Sequence, residues 1–429
     1  MLSKFKRRVA QLSAVALAAT MLALVPASPA MAAVKVPLDN ARFSACPANA
    51  SIPAAGFTDT TSTDVDCIAY YDITQGTTDT TYSPDESVTR WQMALYLTRA
   101  AGPAGVTLGA GTDDGTFTDI SGKSDEIKTA IMQIKDLEIT LGKTATTFAP
   151  DDNVTREEMA LFINRFLASS TLGPGGANDL VANDDGLAGT NVGSASTTTN
   201  YTDIGTGTTY EGRNAIAELW HMGITDDPSS TSTVYSTTYS PASDMTRAAM
   251  ATFMTKALGH TNARPKGVTL QSAEWDAEGD GDDAGLSDQG AGTPSLSVSY
   301  RADDFTWAAG TAVDVFSWTN STAVGNTDFL ATGLCNTTYT APATNAVTEC
   351  YIDAGDVDTD AYGNTTPTVA AYGAGSTTHY WAWTAADGTN YDNDLHASGA
   401  SKISIATNYD ATDFSVSTDI PATALTSRE

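Results

Sequence analysis

Three stretches of the chain share one co-linear pattern, and a repeat of this kind constrains the fold more than composition does. They read Tyr82-Ser83-Pro84-Asp85-Glu86-Ser87-Val88-Thr89-Arg90, Phe148-Ala149-Pro150-Asp151-Asp152-Asn153-Val154-Thr155-Arg156 and Tyr239-Ser240-Pro241-Ala242-Ser243-Asp244-Met245-Thr246-Arg247. In each, an aromatic residue stands seven positions before the Thr and a Pro five before it. Apolar residues recur four, eight and twelve positions after the Thr: Met93, Leu97, Ala101; Met159, Ile163, Leu167; Met250, Met254, Leu258. Ala94, Ala160 and Ala251 sit five after it. This spacing lays one apolar stripe along an α-helix. Arg99, Arg165 and Lys256, ten after the Thr, suit the negative end of the helix dipole. Thr89, Thr155 and Thr246 are good N-caps, and Gln92 and Glu158 complete capping boxes that Ala249 cannot.

Each unit has an earlier half. It opens on Phe57-Thr58-Asp59, Phe117-Thr118-Asp119 or Tyr201-Thr202-Asp203. The leading Asp59, Asp119 and Asp203 read as helix N-caps, with a ligand role as the rival. A second helical stripe follows: Val65, Ile68, Tyr71; Ile131, Ile134, Leu137; Ile216, Leu219, Met222. It ends in Ile73-Thr74, Ile139-Thr140 and Ile224-Thr225. The repeats therefore span 55–115, 116–168 and 201–262, with a Gly/Asn/Asp/Thr-rich surface insertion at 169–200. A single two-helix unit cannot bury its apolar face, so the three should pack on one another.

The N-terminus reads as a secretory signal over 1–32: Lys4, Lys6, Arg7 and Arg8, then an apolar stretch to Val25, then Ala30-Met31-Ala32. The 22 positive side chains less those four leave 18 against 51 negative, a mature charge of −33. Such acidity excludes a counterion-releasing nucleic-acid binder and a protein held on anionic lipid by charge. No later run is long and apolar enough for a transmembrane helix. Cys46, Cys67, Cys335 and Cys350 permit three pairings. Local pairs, Cys46–Cys67 and Cys335–Cys350, are expected, because each close pair belongs to its own segment and disulfides form outside the cell.

From about Pro265 the period changes. Residues 263–292 read as an acidic, Gly-rich linker. Short alternating runs follow at Leu296–Arg301, Val313–Trp318, Glu349–Ile352, Thr368–Tyr372, His379–Thr384, Ser401–Thr407 and Phe414–Ser417. They predict an all-β, immunoglobulin-like sandwich over 293–421. Residues 269–429 hold 3 positive and 23 negative side chains. Asp356-x-Asp358-x-Asp360 invites a Ca²⁺ reading, but Ala361 stands where an EF-hand loop needs Gly, and a solvated acidic turn is expected instead. No G-x-S-x-G or H-E-x-x-H motif occurs, so no catalytic constellation and no cofactor is expected.

The ordered pattern F-x-D … I-x-x-L … I-T … F-x-P-D-x-x-V-T-R-x-E-x-A resembles the surface-layer homology (SLH) domain family, three times over residues 55–260. The resemblance implies an all-α, pseudo-threefold module, a three-pronged spindle whose grooves bind secondary cell-wall polysaccharide or a peptidoglycan-linked glycan, often pyruvylated. It carries the ligand role to Arg90, Arg156 and Arg247, with Thr89, Thr155 and Thr246 beside them. A ketal carboxylate suits a planar guanidinium at a helix N-terminus. The rival for each Arg is a solvated first-turn residue. The third repeat departs most, with Ala249 for the family's Glu and Asp227 near its Gly, so Arg247 is expected to matter least. The resulting expectation is a secreted, non-enzymatic surface-layer-type protein, with self-association into a lattice as a further expectation. The alternatives are a wall-anchored exoenzyme such as a glycosidase, or an adhesin for extracellular glycan or protein.

Overall fold

The computed structural model describes residues 43–47, 50, 52–171, 173–174, 199, 201–205, 207–225, 236–272, 296–320, 352–367, 377–384, 401–410 and 413–418. The expected leader, most of the 169–200 insertion, the acidic stretch after Ser272, the run Thr368–Tyr372, and Cys335 with Cys350 lie outside the described residues.

Each repeat forms two helices where the stripes place them. They are α1 (Thr63–Tyr70) and α2 (Arg90–Ala101), α3 (Asp125–Asp136) and α4 (Arg156–Ser169), and α5 (Tyr210–His221) and α6 (Arg247–Gly259). Helices this short are marginal alone and depend on tertiary packing. The packing crosses repeat boundaries: α2 lies on α3, α4 on α5, and α6 on α1. Each second helix thus buries its stripe against the next repeat's first helix, and the last repeat closes onto the first. Met93, Leu97, Met159, Ile163, Met250 and Met254 meet in one buried core.

The loops before the second helices close the same circuit. The N–H of Val154 donates to the Val88 carbonyl, Val88 to Met245, and Met245 to Val154, each at 2.8 Å. These three bonds form a closed ring.

Asp59, Asp119 and Asp203 are not helix N-caps. Ser124 and Thr209 cap α3 and α5 through their side chains. Each Asp instead accepts from two consecutive backbone N–H groups of its repeat's later loop: Tyr82 and Ser83, Phe148 and Ala149, Tyr239 and Ser240. The second residue of each pair has a left-handed backbone, with φ of 57°, 56° and 59°. Only a few per cent of non-Gly residues adopt that conformation, and a carboxylate gripping both N–H groups holds it in place.

The Cys46–Cys67 disulfide forms as expected, with Cα atoms 5.8 Å apart. It ties the lead-in to α1. The lead-in also accepts from Tyr71 Oη at Ala45 O (2.6 Å) and from Gln271 Nε2 at Ser44 O (3.0 Å).

The β region contains a three-stranded sheet ordered β1-β2-β5 and a five-stranded sheet ordered β4-β3-β6-β7-β8. The strands are β1 (Gly267–Ser272), β2 (Leu296–Arg301), β3 (Ala312–Asn320), β4 (Ile352–Asp358), β5 (Asn364–Thr365), β6 (Thr377–Trp383), β7 (Ser401–Asp410) and β8 (Asp413–Thr418). All their pairings are antiparallel. Two expectations need correction. The linker is not a linker at its start: Val268 and Leu270 are buried, and β1 pairs with β2 from Gly267↔Arg301 to Ser272↔Leu296. A cut between 268 and 293 therefore severs a sheet. The Asp356-x-Asp358 stretch is not a turn either, because both residues lie in β4, with Asp356 paired to Asp314 and Asp358 to Ala312. Asp360 alone sits in the turn, where its carboxylate accepts from the N–H groups of Tyr362 and Asn364.

Helices and sheet meet through a buried polar knot. Arg301, 1% exposed, donates to the carbonyl and side-chain oxygens of Asn262 (2.9 and 2.7 Å) and to Gly363 O (3.0 Å). Asn364 Nδ2 also donates to Asn262 Oδ1 at 2.8 Å. Burial first, and then nearby Arg264, pull the Arg301 guanidinium well below its ordinary value.

Opening the Cys46–Cys67 link should lower stability by about 3 kcal/mol, the chain-entropy value for a loop of this size. Denaturant midpoints of the chain and its Cys67→Ser variant would measure this. The Asp59 carboxyl is held below its usual 3.8, foremost by the Tyr82 N–H and also by that of Ser83. A carboxyl so depressed contributes stability above its unfolded value, and the contribution is lost as pH falls through the folded one. Asp59→Asn should therefore be less stable than wild type at pH 7, and the gap should close below about pH 4 in melting curves taken across pH.

Candidate functional site

The residue that begins each second helix reaches into the next repeat. Arg90 Nε donates to Phe148 O at 2.8 Å, Arg156 Nε to Tyr239 O at 2.7 Å, and Arg247 Nε to Tyr82 O at 2.6 Å. Each guanidinium lies over that aromatic ring, at 4.8, 4.6 and 4.5 Å, and near a second one: Phe162, Phe253 or Tyr96. Tyr82 and Tyr239 return a bond from Oη to the carbonyls of Arg247 and Arg156, both at 2.8 Å. Phe148 has no hydroxyl to do so. Arg90 and Arg247 are 3% and 2% exposed, and Arg156 is half-buried. None is a solvated first-turn residue. The sequence pattern brings all three into one kind of joint but does not show that the joint is between repeats.

The Thr positions are local. Thr155 Oγ1 accepts from the Glu158 N–H at 3.2 Å while Glu158 accepts from the Thr155 N–H at 3.1 Å, a complete capping box. Gln92 accepts from the Thr89 N–H at 2.9 Å, and Thr246 Oγ1 accepts from the Ala249 N–H at 3.2 Å.

A groove of about 180 Å³ opens beside Arg247. Its walls are Thr74, Gln75 and Gly76 from the loop after α1, Trp91, Gln92, Leu95, Tyr96 and Arg99 from α2, and Arg247 from the third repeat. Gly76, at φ +80°, must be glycine, since a Cβ would lie 2.6 Å from the Phe57 ring and from the Thr78 and Thr81 carbonyls. Arg99 pairs with exposed Glu126 at 2.9 Å, a weak contact in water. The groove walls carry two cations, an indole and a phenol, and no carboxylate. Such a surface can stack on a sugar face and receive an acid group.

Repeat 2 presents different chemistry at the matching positions. Glu158 Oε1 lies 3.2 Å from Arg90 Nη1 and 2.7 Å from Lys143 Nζ. Burial draws the Arg90 guanidinium below its ordinary value, and Glu158 opposes that. The expectation that Arg247 contributes least took Ala249 and Asp227 for its surroundings. Its surroundings are instead Tyr82, Tyr96 and the first-repeat groove. Trp91, Gln75 and Tyr96 escaped the sequence reading altogether. Tyr96 left a trace there, as the single hydroxylated ring where the other repeats have Phe162 and Phe253.

Two-helix units joined head to tail through arginines, with a groove beside one joint, define a repeat-built helical module followed by a β region. The particular family follows from two of those units. Residues 65–94 and 116–160 match the S-layer homology domain, so the first two repeats carry S-layer homology sequence. The third repeat has the same helices, Asp clamp and arginine joint. The chain is also 38% identical over 89 residues to an endoglucanase of Bacillus sp. (strain KSM-635), a match covering 21% of this chain and 9% of that protein. Among the described residues, no helix is long and apolar enough to cross a membrane, and no group of three or more acidic, His or Cys side chains is placed to hold a metal ion.

Tyr96 Oη accepts from Arg247 Nη1 inside this buried joint. Tyr96→Phe should fold, because Phe162 and Phe253 stand at the matching positions. It should lose about 1–3 kcal/mol by stranding a buried donor, read as a shift in the urea midpoint.

Proposed function

We propose that this chain is a secreted protein that anchors itself non-covalently to the cell wall, its S-layer homology module gripping an acidic wall glycan and its β region presented outward. The observation that carries the reading is the groove beside Arg247, whose polar and aromatic walls are free of carboxylate, in a module matched to the S-layer homology domain. The head-to-tail order of helices and arginine joints supports an approximately threefold module joined through Arg90, Arg156 and Arg247, with Arg247 as the cation that faces the groove. Two antiparallel sheets, with β1 also lying against β6 and β7, support an immunoglobulin-like sandwich. The role proposed for the whole is structural and non-enzymatic, of the surface-layer type, with self-association into a lattice and a wall polymer bearing pyruvate ketals.

One observation favours a second reading. The endoglucanase match lies in the repeat region, so the same anchor serves an exoenzyme elsewhere. A wall-bound glycosidase is therefore the alternative, and release of reducing ends from a panel of polysaccharides would establish it.

The anchoring is tested by sedimenting the chain, without its leader, with purified walls. A chain at −33 and an acidic polymer repel at long range, and salt screens that repulsion beyond about 8 Å while sparing close buried contacts. Binding should hold or strengthen as salt rises moderately, opposite to a counterion-release binder. It should be lost on walls stripped of their secondary polymer, and weakened by Trp91→Ala. Binding that collapses steadily with salt, or persists on stripped walls, would mean that the grooves are not the site.

A further inference from the structure

We infer that the third residue of each second helix decides which groove accepts an acid group: Gln92 leaves the first-repeat groove open to an anionic sugar, while Glu158 fills the second-repeat groove from within. The inference rests on the wall-anchoring reading and names the residue that sets its specificity.

The two joints have the same backbone plan and opposite charge balance. At the first, Arg247 is 2% exposed and lines the groove, and its neutral partners are the Tyr82 carbonyl and the Tyr96 hydroxyl. Its Nη2 is buried and makes no hydrogen bond. A buried guanidinium with an unused donor and no carboxylate on the groove wall is an incomplete arrangement, because desolvating a charge is costly unless it is paired. An acid group on a ligand completes it. At the second joint, the matching guanidinium of Arg90 already has its carboxylate. Glu158 Oε1 bridges Arg90 and Lys143, and Glu158 Oε2 is held by the Thr155 N–H of the capping box. A ligand carboxylate there would have to displace one that the chain holds covalently close, so it gains little. Phe162, in place of Tyr96, supplies no hydroxyl to a ligand.

Gln92 makes the same backbone cap as Glu158, accepting from the N-cap N–H at 2.9 Å. The two residues are therefore interchangeable as caps and differ as charges, so Glu158→Gln and Gln92→Glu should both fold. Trp91 gives the first groove a flat apolar face for a sugar ring, whereas Glu157, at the matching position of the second repeat, accepts from the N–H and hydroxyl of Thr209 at 2.8 and 2.6 Å.

The test is calorimetric titration of the leaderless chain with two acidic probes: the 4,6-pyruvate ketal of a methyl hexoside, and a methyl hexoside 6-phosphate. The methyl ester of the ketal serves as the neutral control. At least one acidic probe should bind and the ester should not, and the probe that binds identifies the acid as carboxylate or phosphate. Gln92→Glu should remove one equivalent of sites, or weaken them by about tenfold or more, by placing an intramolecular carboxylate on Arg247. Glu158→Gln should add one equivalent. Circular dichroism of both variants should match wild type. A site count that either variant fails to move, or equal binding of the ester, overturns this assignment even where the chain still sediments with walls. Failure to sediment with walls overturns the anchoring reading itself.

Discussion

Three arginines at the joints between repeats hold the helical module together. Each arginine leaves the first turn of its helix, enters the neighbouring repeat, and ends on the carbonyl of an aromatic residue whose ring it also covers. A guanidinium suits this place because its fork can donate in one direction while its flat face stacks in another. A lysine ammonium lacks the planar face that stacks on the ring. The carbonyl it meets is on a left-handed turn, and the turn is kept in shape by the Asp that opens the repeat. The chain of dependence thus runs from Asp to turn, from turn to carbonyl, from carbonyl to arginine, and from arginine to the helix that packs on the next repeat.

This arrangement lets one motif be structural and, on the proposed reading, recognitive as well. A charge placed at the joint must be paired, and the pairing group can come from the chain or from outside. The second joint takes a carboxylate from its own helix. The first takes only a phenol and a carbonyl. Exchanging Gln and Glu at this helix position therefore changes the charge beside a joint while keeping its cap, since the capping bond is made by Gln92 and Glu158 alike. At Gln92 and Glu158 the capping bond needs an oxygen and not a charge, and at Ala249 the bond is absent while Thr246 Oγ1 still caps the helix.

Much of the fold was legible in the sequence. The stripes placed the six α-helices of the described residues, and Cys46–Cys67 followed from proximity in the chain. What escaped was every relation between repeats. Periodicity reports which face of a helix is apolar, but not which helix covers it, so the packing of α6 on α1 and the passage of Arg247 into the first repeat left no local mark. Ala249 and Asp227, which belong to the same repeat as Arg247, therefore do not report the joint that Arg247 enters. The Asp residues misled for a similar reason: an Asp before a helix is usually a cap, and its actual partners, such as Tyr82 and Ser83, lie more than twenty positions ahead. In the β half, acidic composition hid strands. Asp356 and Asp358 belong to β4 because their backbone pairs with β3, and an edge strand can carry charge on its outward positions.

The join between helices and sheet follows from the same preference for directional contacts. An apolar seam would let the two slide, because burial is indifferent to small rotations. Here the seam contains Arg301, Asn262 and Asn364, each bonded to the others in one geometry. β1 begins a few residues after α6 ends, so backbone continuity adds to the knot. The lead-in, tied by the disulfide to α1, also contacts β1 through Ser44 and Gln271. Leaving any one of these polar groups unpaired in a dry seam would cost more than its bond contributes in water. The seam therefore specifies one orientation of the described sheet on the helices.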